Sequence, residues 1–285
     1  MNTAKLFLPV LLFAALTSCR PKPLDIEVPQ QESKLVISAS CINESTVLVA
    51  AAYSVTSLRN LEDTSQDVVP QDMLADSAVV TIAAAGQIPD TLERVGKGIY
   101  GSRTLQLQPG VRYTLTVIDK KKNAAATATT TYMPKPEIEE VTPDVIRHEQ
   151  DTVVKIHVKI RNVQPGDHYF MSYNTLDQAR ALVLEPVSSL QSFSPKRIEL
   201  FDDGAHDGVI TKTITLNASP SDTLVVHIGR VDEHYYKYLD AYKRTGYLIN
   251  QVTGEPINLP TNISKGFGYF ALYRAERRIF DLSRY

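Results

Sequence analysis

Four side chains that could hold a cation crowd into one short stretch. Within ELFDDGAHDGVIT (199–211), Asp202, Asp203, His206 and Asp207 fall inside six positions. A hard cation such as calcium takes about six to eight oxygen ligands, and three carboxylates on one loop would begin such a set. The spacing of an EF-hand and its terminal glutamate are absent, and Asp-Gly is ordinary hairpin chemistry because it supplies local hydrogen bonds and positive φ. The stretch therefore reads first as a turn, with these four residues as a candidate ion-binding loop.

Other chemistry is thin. His148, His157, His168, His206, His227 and His234 form no H-x-x-x-H pair and have no cysteine partners, which argues against zinc. GKGIYG places Gly96, Gly98 and Gly101 in the G-x-G-x-x-G pattern, but SRTLQLQPG follows and alternates like a strand. A dinucleotide fingerprint needs a helix there, so the match reads as a turn. No G-x-S-x-G elbow or other nucleophile setting is present, so catalysis is not supported and no cofactor is indicated. Tyrosines, 14 in a chain without tryptophan, gather late in the sequence. Tyr236 and Tyr247 are candidates for an exposed aromatic contact surface; Tyr235, Tyr238 and Tyr242 are expected to dock a helix. Four Asp-Ser/Thr-aliphatic triplets, at Ser77, Thr91, Thr152 and Thr223, match an O-glycosylation acceptor pattern of Bacteroidota envelope proteins.

The elements that must carry these residues are strands almost throughout. KLVISASCI (34–42), TVLVAAAYSV (46–55), SAVVTIAAA (77–85), GIYGSRTLQL (98–107), RYTLTVID (112–119) and AAATATTTY (124–132) are rich in β-branched and aromatic residues and broken by Pro, Gly, Asn and Asp. This density without helical period predicts an immunoglobulin-like β-sandwich over 34–133. MPKPEI (133–138) reads as a linker, because Pro134 and Pro136 resist sheet pairing. A β-rich C-terminal domain is expected over 134–285. In DTVVKIHVKI (151–160), Val154, Ile156, Val158 and Ile160 alternate with Lys155, His157 and Lys159, the pattern of a half-exposed strand. Further strands are expected at HYFMSYN, ARALVLE, RIELFD, VITKTITL, DTLVVHIGRV and in GFGYFALYRAERRIF. One amphipathic helix is predicted at about 231–245: Tyr235, Leu239 and Tyr242 recur at helical spacing, Asp232 can cap, and Lys243 and Arg244 suit the last turn. No repeat of solenoid or propeller kind is visible.

The N-terminus decides location. Lys5 precedes an apolar run from Leu6 to Leu16, too short to cross a bilayer as a helix and interrupted by Pro9. Leu16-Thr17-Ser18-Cys19 resembles the bacterial lipobox, in which a cysteine thiolate takes the lipid. Residues 1–18 are expected to be a lipoprotein signal peptide, Cys19 the lipidated residue, and 19–33, Pro-rich and polar, a tether. The membrane is then a partner through the lipid anchor alone. Cys41 is left as a lone strand cysteine without a disulfide partner. With 30 basic and 32 acidic residues and no long basic run, a nucleic-acid partner is not expected.

Taken together, SKLVISASCI, DSAVVTIAAAGQ, GIYGSRTLQLQPGVRYTLTV, PGDHYFMSY, LFDDGAHDG, VDEHYYKYLDAYKRTG and PINLPTNISKGFGYFALY resemble a family of Bacteroidota lipoproteins known as a domain of unknown function. The last block, with Asn262-Ile263 and Gly266-x-Gly268-x-Phe270, is the most specific; Cys41 departs from the polar or aromatic residue expected there. The resemblance covers roughly 24–273. It implies a place at the outer membrane, with the leaflet open, and a TonB-dependent outer-membrane transporter as partner, since members are frequently encoded beside one. It brings no catalytic or ligand-binding residues. The expected function is a non-enzymatic accessory that captures ligand or covers the transporter mouth. The alternative is a structural or adhesive surface module that binds glycan or host protein.

Overall fold

A computed structural model of the chain describes residues 32–54, 70–147, 152–162, 165–176, 197–204, 208–245 and 258–285. Eight strands open it: β1 (Leu35–Asn43), β2 (Thr46–Tyr53), β3 (Val79–Ala84), β4 (Asp90–Thr91), β5 (Glu93–Gly96), β6 (Ile99–Ser102), β7 (Arg112–Asp119) and β8 (Ala124–Thr131). One sheet runs β1-β2-β6-β5 and the other β4-β3-β7-β8. In immunoglobulin lettering these are A-B-E-D and C′-C-F-G, so the expected sandwich is found by its strand order. Alternation fills its core: Val80 and Ile82 of β3, Leu115 and Val117 of β7 and Ile37 and Val49 of the facing sheet are almost fully buried. Tyr113, near the start of β7, accepts from the Gln108 backbone N–H (2.9 Å) and donates to the Gln106 carbonyl (3.3 Å). That is the tyrosine corner of such sandwiches. The GKGIYG stretch is the hairpin between β5 and β6.

Strands β9 (Glu137–Arg147), β10 (Thr152–Asn162), β11 (His168–Thr175), β12 (Ile198–Asp202), β13 (Gly208–Ala218), β14 (Thr223–Val231) and β16 (Ala275–Asp281) build a second sandwich. Its sheets are β13-β10-β9 and β12-β11-β14-β16, in the same lettering E-B-A and C′-C-F-G. Val154, Ile156, Val158 and Ile160 all face the interior, as their alternation predicts. Strand β9 was not among the strands expected from the sequence, and it contains Pro143. It is an edge strand, so one side of its backbone has no ladder for a proline to break.

Helix α1 (Glu233–Thr245) and β15 (Gly266–Tyr269) lie between the last two strands of the second sandwich, yet β15 pairs parallel with β1 of the first. The domain boundary expected at 133/134 is thus crossed by a returning segment. That segment also reaches the other sheet: the Ser264 N–H donates to the Thr127 carbonyl (2.7 Å). Asn262 Nδ2 donates to the carbonyls of Thr129 (3.1 Å) and Phe270 (2.8 Å), and Asn262 Oδ1 accepts from the Phe270 N–H (2.9 Å). Met133, in the expected linker, donates to the Leu272 carbonyl (2.9 Å) and accepts from the Arg274 N–H (3.1 Å). Ion pairs Lys135–Glu276 and Arg274–Glu44 brace the same junction. Ser33–Tyr285 accordingly forms one unit. Among the described residues no helix is long and apolar enough to cross a membrane.

Candidate functional site

At this junction a cleft of about 530 Å³ opens between β7–β8, the start of α1 and the returning segment. Arg112 begins β7 directly after the Pro109-Gly110 turn, where the Gly110 N–H is held by the Tyr132 carbonyl (3.0 Å). Thr129 and Thr131 occupy positions of β8 that alternate with the core residues Ala126 and Ala128, and they too line the cleft. From the helix come Asp232, His234 and Lys237. The Asp232 carboxylate is spent on the cap, accepting from the Tyr235 N–H (2.9 Å), and Lys237 Nζ pairs with Glu233 (2.6 Å), one turn earlier. Tyr269 and the clamping Asn262 complete the wall. Burial, with the nearby Asp232 charge, pushes the Tyr269 hydroxyl above the ordinary phenol range, so it stays a protonated donor. Hydroxyl, amide and cationic groups and one carboxylate line the cleft, with apolar surface between them.

The tyrosines expected to dock the helix do so. Tyr235, Leu239 and Tyr242 are buried against Phe170, Ile198 and Tyr269; each such side chain contributes about 1.5–3 kcal/mol by leaving water. Tyr235 stacks on Tyr238 and Tyr273 at ring separations of 5.6 and 5.5 Å, and the Tyr235 and Tyr273 hydroxyls share a hydrogen bond. Tyr236 is half-buried, with its ring edge-on to His168 at 4.7 Å.

The acidic stretch is used locally. Asp203 Oδ2 accepts from the backbone N–H groups of Gly166 (2.8 Å) and Asp167 (3.2 Å), and Asp202 accepts from the Gly204 N–H (3.0 Å). Among the described residues no group of three His, Cys, Asp or Glu side chains is placed to hold a metal. Cys19, His206, Asp207, Tyr247 and the expected strand ARALVLE lie outside the described residues.

The four modification candidates differ in access. Ser77 and Thr91 are exposed, although the Ser77 hydroxyl donates to Asp119 (3.0 Å); Thr223 is half-buried. Thr152 is fully buried, which removes it as an acceptor in the folded chain. Asp119 also accepts from Tyr53 (2.8 Å) and the Lys121 N–H (3.0 Å). Burial alone would raise that carboxyl, but these hydrogen bonds hold it below the usual carboxylate range.

None of the described residues singled out in the sequence for binding lines the cleft. Arg112, Thr129, Thr131 and Tyr269 come from segments far apart in the chain. The legible signal was the alternation of threonine in TATTT (127–131), which marks an outward hydroxyl row.

Against known proteins, a family model described as a domain of unknown function, DUF4249, matches residues 21–279. No curated protein sequence matches the chain. Among solved structures, a segment of two fibronectin type III domains from chicken tenascin matches at 12% identity. The match covers 70% of this chain and 92% of that one, with a TM-score of 0.23.

Proposed function

Since the chain belongs to the DUF4249 family of domains of unknown function, we propose that it is a non-enzymatic lipoprotein of the outer membrane that captures a ligand for a TonB-dependent transporter. The observation that carries this is the cleft at the junction of the two sandwiches. Clefts where domains meet are favoured ligand sites because two bodies contribute walls that neither could offer alone. The returning segment fixes those walls to one another, so the site is formed before ligand arrives and little ordering cost falls on binding. The lipobox sequence supports anchorage through Cys19. The accessory role rests on the family resemblance of the sequence, whose members are often encoded beside such transporters.

The test is a mild-detergent pull-down of the natively expressed lipoprotein from outer membranes, with partners identified by mass spectrometry. A stoichiometric TonB-dependent transporter is the expected result. Recovery of the protein alone from membranes whose other complexes survive the detergent would end the accessory role.

A further inference from the structure

The outer face of the sheet that supplies one wall of the cleft is a lattice of threonines. Strand register places Thr91, Thr81, Thr116 and Thr127 in one row across all four strands. The next row toward the cleft holds Thr114 and Thr129, and the last pairs Arg112 with Thr131. The strand neighbours of these residues, Ile82, Leu115, Val117, Ala126 and Ala128, are in the core, so the threonines face outward. None of the seven hydroxyls has a hydrogen-bond partner among the described residues, and neither does the Arg112 guanidinium. Rows lie about 7 Å apart along the strands and about 4.8 Å separates neighbours across them, the length scale of one pyranose unit.

We propose that the ligand of the cleft is an acidic oligosaccharide, its carboxylate or sulfate on Arg112 and its following sugars laid over the threonine rows. This rests on the ligand-capture role proposed above. A hydroxyl both donates and accepts, so a grid of them matches vicinal diols whichever way each is oriented. Arg112 offers a planar fork of N–H groups that fits a carboxylate or sulfate in bidentate fashion. Lys237, across the cleft, is already paired with Glu233, so Arg112 is the cation on which the acidic group is placed. An acidic peptide would meet the same charges, but the rows give it no apolar side-chain pockets, and the outer edge of β8 is already engaged by the Ser264 N–H at Thr127 and by Asn262 at Thr129. The cleft volume accommodates a few sugar rings.

The test is calorimetric titration of the purified protein with tetragalacturonate, its methyl ester, a heparin-derived hexasaccharide and tetraglutamate. One or both acidic sugars should bind, weakening as salt rises. The ester and tetraglutamate should bind at least about tenfold more weakly, the scale of one lost charged hydrogen bond. Arg112→Gln should weaken acidic sugars by a similar factor, and Thr129→Val with Thr131→Val should weaken them while leaving salt dependence unchanged. All three substitutions are at outward positions, and a wild-type thermal transition verifies the fold of each variant. Equal binding of ester and acid, tetraglutamate binding as tightly as the sugars, or failure of both acidic sugars at millimolar concentration overturns the proposal. A transporter recovered in the pull-down alongside such failure removes the ligand class and leaves the capture role standing. Sugar binding lost in Arg112→Gln without any transporter supports the ligand class and removes the accessory role.

Discussion

Gly268→Ala tests whether the returning segment truly locks the first sandwich. Gly268 sits at φ +92°, and a Cβ built there would lie 2.0 Å from the Ile37 carbonyl oxygen and 2.9 Å from its carbon. These are backbone atoms of the paired strand, so no side chain can swing aside. Strand β15 must move away from β1, giving up a register of four pairs from Leu35–Gly266 to Ser38–Tyr269. At about 1 kcal/mol net per backbone hydrogen bond, this costs about 2–4 kcal/mol. Alanine at positive φ adds about 1–2 kcal/mol, offset by about 0.4–1 kcal/mol from a less flexible unfolded chain. The expected loss is about 3–5 kcal/mol. Gly86 is the internal control: its φ is +77°, but an added Cβ meets nothing within 4 Å. Gly86→Ala should therefore cost only about 1 kcal/mol. Urea unfolding followed by tryptophan-free tyrosine fluorescence and by circular dichroism measures both. If Gly268→Ala loses no more stability than Gly86→Ala, the close approach of β15 to β1 is wrong and the interlocked junction goes with it.

Asn262→Ala should destabilise by about 2–3 kcal/mol in the same assay, because it strands the Phe270 N–H and releases two carbonyls that Asn262 holds. A second expectation concerns acid. Burial, then the Arg277 charge, pulls His227 down from its ordinary value of 6.5 to about 4. As pH falls below 6.5 the unfolded chain takes this proton first, so stability is full above that pH and lost toward pH 4. The loss by pH 5 is about 2 kcal/mol at about 1.36 kcal/mol per unit, and His227→Gln should flatten that part of the stability–pH curve. Finally, burial pushes the Cys41 thiol up to about 12, with Arg274 opposing weakly. In a chain carrying Cys19→Ser, Cys41 should resist a thiol reagent at neutral pH while folded and react once urea unfolds it. Rapid reaction of the folded chain would contradict the burial.

Much of the architecture was legible locally. The alternation in KIHVKI, the caps around the tyrosine helix and the turn residues between strands each act over a few positions, so they survive in a linear reading. Strand β9 was hidden because Pro143 is a breaker everywhere except at a sheet edge, and edge position is a tertiary fact. The matching strand order of the two sandwiches was likewise invisible, since it is a relation among pairings and leaves no repeated letters. The acidic stretch looked like a site because charge density is easy to see in sequence. In the fold, Asp203 is occupied by two backbone N–H groups.

The sequence alone determined the strand-rich class, the one amphipathic helix and the signal-like N-terminus, because period, capping and hydropathy are local properties of the chain. Only the tertiary structure decided that β15 belongs to the sandwich it follows by more than a hundred residues, and that Arg112, Thr129, Thr131 and Tyr269 share one cleft. The physical reason is the close approach at Gly266 and Gly268. Two missing side chains let a late segment lie against β1, and that pairing, with the bonds to β8 and Met133, returns the segment to the first sandwich.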